Sequence, residues 1–389
     1  MKMRDTNKIS RRRFAGGMAA IIGGLRLSAG GQVFGQAVGA NAAVAAGRVS
    51  VKDYEALTKL CYNENPYGPT KSVQDAMTGA LEFANRYMSP DGGILDAIAS
   101  LHKVDIDHIV LGSGSSEILD AVGTAFLEGG KKVVRAEPTF DAVYRHATGL
   151  KTDAIHVPLT AGWRQDIPAM IDAVKQHRGQ IGFVYICNPN NPTGVIVTKS
   201  EIKQLLDGLP ADVPVLIDEA YHHFVEDPAY ETSISHATEG RPVIVARTFS
   251  KIAALAGIRL GYAVAPPALI EKMSPYIEHM NVNILAKWGG AAALKDPAGL
   301  ERVRSDINHT RKNTTAALVG MGYTVIPSET NFFMVNLRRD VRPVIKEFRR
   351  NGILVGRPFP PMVEYLRVSV GTPAEMERFL TSFQVIMKA

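Results

Sequence analysis

Short apolar runs alternate with longer segments of helical periodicity between about residues 107 and 267. This rhythm is typical of parallel β-α-β units, in which a helix follows each strand and covers the sheet. The strands are predicted at residues 108–111, 132–135, 181–186, 213–217 and 243–246, with a helix running through Phe126. Polar or glycine-rich residues follow each strand at its C-terminal end, the edge at which open α/β sheets bind ligands.

The chain after about Pro267 has a different pattern. A long helical stretch comes first, followed by a strand at 331–336, a helix at 341–350 and a strand at 366–370. A chain of 389 residues is too long for one simple core. We therefore predict a large α/β domain over residues 66–267, a smaller α+β domain over 268–389, and an N-terminal linker and arm over 38–65.

The composition is that of an ordinary soluble protein, with 46% hydrophobic residues. The net charge of +6 is concentrated in residues 1–37, which hold seven basic residues and one acidic residue. The rest of the chain has 37 of each sign and no net charge. A nucleic-acid partner is therefore not expected.

The N-terminal segment resembles a twin-arginine export signal. A basic start leads into Ser10-Arg11-Arg12-Arg13-Phe14 and then into a weakly apolar stretch rich in Ala and Gly. Small-residue cleavage sites follow near residues 35–40, and the apolar run is too short and glycine-rich for stable membrane insertion. We expect residues 1–37 to engage the twin-arginine export machinery and the protein to be periplasmic. The alternative is a disordered basic tail on a cytoplasmic protein.

The cysteines and paired histidines do not indicate a metal site. Cys61 and Cys187 lack metal-ligand spacing, and a disulfide between them is permitted in an oxidising compartment but not indicated. A small apolar packing role is the better interpretation for both. His222 and His223 are interpreted as local packing.

Lys251 lies in a run that suits a cofactor-carrying lysine. An amine is a nucleophile only when deprotonated, so such a lysine needs an apolar or cationic setting that lowers its pKa. The alanines from Ala253 to Ala256 supply the apolar part and Arg259 supplies the cation. If the intervening segment doubles back, the lysine and the arginine reach one small anionic ligand. The alternative is an exposed lysine on a surface loop.

Further candidate residues follow the predicted strands. Asp218 ends one strand, where a carboxylate suits the ring nitrogen of pyridoxal phosphate, and Tyr221 follows three residues later. Asn191 lies in a loop held by two prolines. The Gly112 to Ser116 turn between a strand and a helix forms a phosphate cup, and Phe140 is placed to stack on a flat ring. Each also has a structural alternative when taken singly. Asp218 suits a helix cap, the Asn191 segment a simple turn, the Gly112 to Ser116 segment an ordinary glycine-serine turn, and Phe140 a core aromatic.

Six motifs occur in one order and resemble those of fold-type I pyridoxal-phosphate aminotransferases, and specifically the histidinol-phosphate aminotransferase group. They are Asn63 to Gly68, Gly112 to Glu117, Asn190 to Gly194, Asp218 to Tyr221, Ser250-Lys251 with Arg259, and Leu366 to Thr372. The resemblance runs from about Leu60 to the C-terminus. It implies a large domain with a mostly parallel seven-stranded sheet flanked by helices, a smaller α+β domain, and pyridoxal 5'-phosphate as cofactor. Export in the folded state suits a chain that acquires such a cofactor in the cytoplasm.

The resemblance also implies a role for each matching residue. Lys251 forms the internal aldimine and later moves a proton between the substrate α-carbon and C4′ of the cofactor. Arg367 binds the substrate α-carboxylate through a bidentate pair. The other expected cofactor contacts are Asp218 at the pyridine nitrogen, Asn191 and Tyr221 at the phenolic oxygen, Ser115, Ser116, Ser250 and Arg259 at the phosphate, and Phe140 on the ring. Tyr67 is expected to reach the phosphate of a neighbouring subunit, which implies a homodimer.

Fold and cofactor do not determine the substrate. The resemblance implies amino transfer, through an aldimine/ketimine ping-pong mechanism, between an amino acid or amino-alcohol phosphate and a 2-oxo acid. Histidinol phosphate with 2-oxoglutarate is its typical pair, which fits an exported protein poorly. Arg357 is expected either to bind a distal carboxylate or phosphate or to pair within the small domain. The alternatives are a decarboxylase or C–S lyase of the same fold and a non-catalytic exported binding protein. A pyridoxal-dependent transcription regulator is disfavoured, since no helix-turn-helix segment precedes Cys61.

Overall fold

The computed structural model describes residues 50–140 and 154–388. Helix α1 spans Val51–Glu55, and the chain divides after Tyr54, so that the second unit spans Glu55–Ala389. The predicted export signal at residues 1–37 lies outside the described residues, as does the segment after Phe140. None of the helices in the described ranges is both long enough and apolar enough to cross a membrane.

The strands are short and are spread along the second unit. They are β1 (Thr58–Leu60), β2 (Ile109–Gly112), β3 (Lys132–Glu137), β4 (Ala154–Pro158), β5 (Ile181–Cys187), β6 (Val215–Asp218), β7 (Val243–Thr248), β8 (Gly261–Val264), β9 (Thr324–Ile326), β10 (Phe332–Asn336), β11 (Ile353–Val355) and β12 (Tyr365–Ser369).

The helices are interspersed with these strands. They are α2 (Lys71–Ala80), α3 (Ile94–His102), α4 (Ser115–Phe126), α5 (Ile167–Gln176), α6 (Lys199–Gly208), α7 (Ile234–Thr238), α8 (Pro267–Met273), α9 (Ile284–Leu294), α10 (Pro297–Gly320), α11 (Val341–Arg350) and α12 (Pro373–Lys388), with 3-10 turns at Leu81–Phe83, Ile106–His108, Glu128–Gly130, His222–Phe224 and Ser274–Tyr276.

The large sheet has seven strands in the order β2-β8-β7-β6-β5-β3-β4. Its pairs are parallel except those of β8, which runs antiparallel to both β2 and β7. The predicted α/β class with a mostly parallel seven-stranded sheet is therefore confirmed. Strand β5 is buried at every position, as expected for a parallel strand covered on both faces.

Two apolar cores lie on opposite faces of this sheet, because successive side chains of a strand point to opposite sides. Phe183 and Cys187 of β5 pack in the core that also holds Ile118 of α4. Val184 and Ile186 pack in the other core, with helices α5 and α6. The sheet is thus covered by helices on both faces.

The predicted elements differ from the observed ones mainly at their ends. Strand β6 begins at Val215 rather than residue 213, because Pro214 has no N–H to donate to a strand ladder. The long helical stretch predicted after Pro267 is divided into α8, the Ser274–Tyr276 turn, α9 and α10. The helix predicted at 341–350 is confirmed as α11.

A smaller sheet, β12-β10-β9, is antiparallel throughout, and β1 pairs in parallel with β11 beside it. Phe348 of α11 stacks on Phe379 of α12 at a centroid distance of 5.3 Å. Strand β1 belongs to the segment expected as an N-terminal arm, and α8 packs with α4 through Ile270 and Met273. The domain boundaries at residues 65 and 267 stay a prediction.

Candidate active site

The carboxyl ends of three neighbouring parallel strands place the candidate residues at one edge of the large sheet. Asp218 at the end of β6 is paired in register with Cys187 of β5 and Ala246 of β7. The Asn191 loop follows β5, and Lys251 follows β7 three residues after the strand ends. Strand order and direction thus bring together residues that are 60 positions apart in the sequence.

Asp218 is a buried carboxylate with a raised pKa. Its side chain is 2% exposed and accepts hydrogen bonds from the Tyr185 hydroxyl at 3.1 Å and the Ala220 N–H at 3.1 Å. Burial raises the pKa of Asp218 to about 6, and the two hydrogen bonds oppose the rise. A cation placed against this carboxylate would restore its charged form.

Lys251 is partly buried beside the same carboxylate. Its Nζ donates to the Tyr62 carbonyl at 3.0 Å and lies 5.7 Å from the centroid of the Tyr221 ring. Burial lowers the pKa of Lys251 to about 8; Arg367 lowers it further, while Glu64 and Asp218 oppose the shift. The setting is apolar and cationic, but Arg367 rather than the predicted Arg259 is the cation that lowers this pKa most. The lowered pKa makes the neutral amine accessible near physiological pH.

Tyr221 and Asn191 meet next to Lys251. The Tyr221 hydroxyl oxygen accepts from Asn63 Nδ2 at 3.0 Å and from Asn191 Nδ2 at 3.4 Å. Its ring stands edge-on to Phe332 at 5.1 Å, which fixes its direction. Burial raises the pKa of Tyr221, so the hydroxyl stays protonated.

Arg367 of β12 reaches this cluster from the smaller sheet. Its Nη1 donates to Asn191 Oδ1 at 2.7 Å and its Nη2 donates to the Cys61 carbonyl at 2.7 Å. The guanidinium lies over the rings of Phe332 and Phe359 at 5.4 and 4.6 Å. Burial lowers the pKa of Arg367 to about 10, and its buried Nε has no hydrogen-bond partner among residues 50–140 and 154–388. An anionic ligand would satisfy that nitrogen.

The segment predicted as a phosphate cup lies at the N-terminus of α4. Gly114 has a φ of +81°, and a Cβ at this position would lie 2.1 Å from Arg259 Nη2. A Cβ at Gly261 would lie 2.3 Å from the Ser115 N. Only glycine allows these close approaches. Arg259 therefore lies against a helix N-terminus, where backbone N–H groups and the helix dipole favour an anion.

The remaining predicted cofactor residues surround these two clusters. Ser250 is buried and accepts from the Thr248 hydroxyl at 2.9 Å, while Ser116 is exposed in the first turn of α4. Phe140, partly buried, follows β3 at the ligand edge and packs against the α4 core. Their expected contacts with the cofactor stay predictions.

Two predicted residues are exposed rather than buried in the cluster. Tyr67 is 39% exposed at the surface, and its N–H donates to Asn65 Oδ1 at 2.9 Å. Arg357 is exposed, donates to the Pro358 carbonyl at 3.1 Å and lies 4.4 Å over the Phe359 ring. Phe359 thus contacts the guanidinium of Arg357 as well as that of Arg367.

Sequence reasoning missed Tyr185 and Asn63 as site residues. Tyr185 is a polar hydroxyl within an otherwise apolar strand, which is a signal, but its contact with Asp218 depends on the register of β5 and β6. Asn63 stands in a quoted motif and is 1% exposed, with a φ of 54°. An asparagine held in the left-handed region and fully buried marks a functional position.

These residues fit pyridoxal phosphate. The cup suits a phosphate, the buried Asp218 carboxylate suits a ring cation, and the lysine amine of lowered pKa suits an aldehyde. When bound, this cofactor supplies an electron sink for charge that develops at a substrate carbon. Lys251, Asp218, Asn191, Tyr221 and the cup would hold it. Fold and site together define a pyridoxal-phosphate-dependent transferase of fold type I.

The chain belongs to the aminotransferase class I and II family, whose model matches residues 55–383. It is 35% identical over 346 residues to histidinol-phosphate aminotransferase of Moorella thermoacetica, covering 87% of each chain. It is 36% identical over 326 residues to the aromatic amino acid aminotransferase of Thermobifida fusca, covering 83% of this chain and 88% of the relative.

A solved structure has the same fold and holds the cofactor. Histidinol-phosphate aminotransferase from Sinorhizobium meliloti, in complex with pyridoxal-5'-phosphate, superposes with a TM-score of 0.79 at 25% identity. The match covers 85% of this chain and 90% of that one. The protein is a pyridoxal-phosphate-dependent aminotransferase.

Asp218→Asn is expected to remove a pH-dependent cost to the stability of the cofactor-free protein and to weaken cofactor binding. The folded-state pKa of about 6 exceeds the ordinary value of 3.8, so the ionised form is penalised. This cost is absent near pH 4, develops between pH 4 and 6 and is complete above pH 6. The stability of the variant relative to the wild type should rise by about 1–3 kcal/mol between pH 4 and pH 7, measured by urea unfolding. Because the asparagine amide accepts only one of the two hydrogen bonds that Asp218 accepts, a pH-independent loss is added at both pH values.

The same substitution removes a charge-assisted contact and is expected to weaken pyridoxal phosphate binding about 10- to 100-fold, measured by equilibrium dialysis. Asp212→Asn is the matched control, because Asp212 is exposed. A stability gain of the same size at pH 4 and pH 7 would contradict the assignment.

Proposed function

We propose that the protein transfers an amino group from an amino acid or an amino-alcohol phosphate to a 2-oxo acid. The observation that carries this proposal is the buried Arg367 guanidinium: in the part of the chain that the structure describes, its Nε has no hydrogen-bond partner, although the side chain is only 6% exposed. A buried donor of this kind costs stability unless a ligand satisfies it. A carboxylate or phosphate oxygen is the matching acceptor.

The curated relatives support this substrate class. One is named for histidinol phosphate, an amino-alcohol phosphate, and another for aromatic amino acids. Each such donor carries an anionic group near the amine that reacts. The acceptor 2-oxo acid carries a carboxylate in the corresponding position, so one arginine serves both half-reactions.

The chain's own residues divide the work. Arg367 orients the substrate, and Asn191, which accepts from Arg367 Nη1, couples that orientation to Tyr221. Lys251 takes the proton from the donor α-carbon and returns a proton to the acceptor carbon, which its lowered pKa of about 8 permits. Asp218 would stabilise the positive charge of the ring nitrogen of the bound cofactor.

Arg357 is proposed to bind a second anionic group. It shares the Phe359 ring with Arg367, at 4.4 and 4.6 Å from the ring centroid. A substrate held by Arg367 would therefore present its far end near Arg357. This arrangement favours substrates with two anionic groups, such as a dicarboxylic 2-oxo acid.

A half-reaction screen tests the proposal. Purified protein loaded with pyridoxal phosphate is mixed with single amino acids, histidinol phosphate and other amino-alcohol phosphates, and the visible cofactor band is followed. We expect at least one donor to bleach the band and a 2-oxo acid to restore it. Lys251→Ala should abolish turnover. Release of carbon dioxide or a thiol without amino transfer, or binding without any spectral change, would overturn the proposal.

Substitution at Arg357 separates the two arginines within that assay. Arg357→Gln should raise the KM of a dicarboxylic 2-oxo acid about tenfold, the loss of one charge-assisted contact. The KM of a monocarboxylic acceptor should change little. Arg350→Gln, at an exposed arginine of α11, is the matched control. An equal rise for both acceptors would contradict a second anion site.

We also propose a homodimer. Tyr67 is exposed rather than part of this chain's cluster, which supports its expected contact with a neighbouring subunit's cofactor phosphate. Tyr87 and Met88 are 87% and 98% exposed, which suits a surface that a second copy covers. Sedimentation should give twice the chain mass, and Tyr67→Phe should weaken cofactor binding several-fold without dissociating the dimer. A monomer with full activity would contradict this.

Export by the twin-arginine route is a separate proposal, supported by the sequence of residues 1–37. Replacing Arg11 and Arg12 together by lysine should leave the full-length protein in the cytoplasm, since that route requires the arginine pair rather than charge alone. Arg26→Lys is the charge-matched control and should be exported. Cell fractionation with detection of the shortened chain decides, and uncut wild-type protein in the cytoplasm would refute the proposal.

A further inference from the structure

Asn63 makes more polar contacts than its motif explains. It is 1% exposed, and its backbone N–H donates to Ser369 Oγ at 2.8 Å. Its Oδ1 accepts from the Ser369 hydroxyl at 2.9 Å and its Nδ2 donates to the Tyr221 oxygen at 3.0 Å. Asn331 Nδ2 donates to its carbonyl at 2.9 Å. One buried side chain thus links the smaller sheet to the site tyrosine.

Ser369 determines the direction of the Asn63 amide. Its hydroxyl oxygen already accepts the Asn63 N–H, so its single proton goes to an acceptor. That acceptor is Asn63 Oδ1. The amide NH2 of Asn63 therefore faces Tyr221 and donates to the phenol oxygen.

Arg367 determines the direction of the Asn191 amide in the same way. A guanidinium has no acceptor, so Arg367 Nη1 faces Asn191 Oδ1, at 2.7 Å. The NH2 of Asn191 then faces Tyr221, at 3.4 Å. The phenol oxygen thus accepts two N–H groups, and its own proton has no acceptor among these partners.

We propose that Asn63 and Ser369 are positioning residues that keep Tyr221 a hydrogen-bond donor toward the phenolic oxygen of pyridoxal phosphate. This inference rests on the cofactor assignment but not on the identity of the amino donor. The amides of Asn63 and Asn191 fill the acceptor sites of the Tyr221 hydroxyl oxygen. The Tyr221 proton is therefore directed to the cofactor. A hydrogen bond from Tyr221 would stabilise the anionic form of the cofactor's phenolic oxygen. It would therefore lower the pKa at which the cofactor bound to Lys251 loses its proton.

Asn63→Asp reverses the polarity with little change in shape. A carboxylate only accepts, so it takes the Tyr221 proton and leaves the phenolic oxygen without that donor. Aspartate also adopts the left-handed backbone that the φ of 54° requires. Asn63→Gly keeps this backbone conformation and removes the amide. Ser369→Ala frees the amide of Asn63 to turn over.

The measurement is a pH titration of the visible cofactor band in the loaded protein, with no substrate present. Tyr221→Phe should raise the apparent pKa of the band by about one unit, the worth of one hydrogen bond to a charged group. Asn63→Asp should do the same, and Asn63→Gly and Ser369→Ala should raise it about half as much.

Two comparisons separate positioning from other effects. Asn65→Asp places the same charge in the same segment, where Asn65 contacts the Ile252 carbonyl instead of Tyr221, and should shift the band less than Asn63→Asp. In a Tyr221→Phe background Asn63→Asp should add only the shift that Asn65→Asp gives. Additive shifts, or equal shifts from the two aspartates, overturn the inference. Because no donor is needed, failure of the substrate screen leaves this outcome readable.

Discussion

The site depends on the hydrogen bonds that the buried guanidinium of Arg367 donates. Its two terminal nitrogens point to Asn191, in the loop after β5, and to the Cys61 carbonyl, in the segment before Asn63. A buried charge is costly unless its donors are satisfied. The planar fork meets this demand only if these segments and β12 lie together, so the arginine holds the substrate side of the site in one arrangement.

Burial shifts the pKa of Asp218, Lys251 and Arg367 in the direction that favours the neutral form of each group. The pKa of Asp218 is about 6, that of Lys251 about 8 and that of Arg367 about 10. Each shift is a cost to the folded protein and a gain in reactivity or ligand affinity. These charges are complemented by the ring cation and aldehyde of the cofactor and by the anionic groups of cofactor and substrate. Ligand binding therefore offsets the cost of burying the charged side chains.

Much of the fold and most of the cofactor site could be predicted from local pattern. Strands β3, β5, β6 and β7 are largely apolar runs followed by polar residues; Asp218 ends one of them, and Asn191 and Lys251 follow two others. Because parallel strands end at one edge, these residues had to be neighbours. Strands β1, β4, β8, β9 and β11 were not predicted. Strands β1 and β11 have only three residues each and pair with each other from opposite ends of the described chain, so no local pattern reveals them.

The sequence by itself determined which chemical groups are present and at which strand ends they stand. Only the tertiary structure decided how they are oriented: Tyr185 contacts Asp218 through the register of β5 and β6, and Asn63 meets Ser369 across 306 residues. Local apolar periodicity specifies a strand but not the partner residue opposite each position. Hydrogen-bond direction at Tyr221 depends on such partners, and therefore on packing between elements that no local pattern encodes.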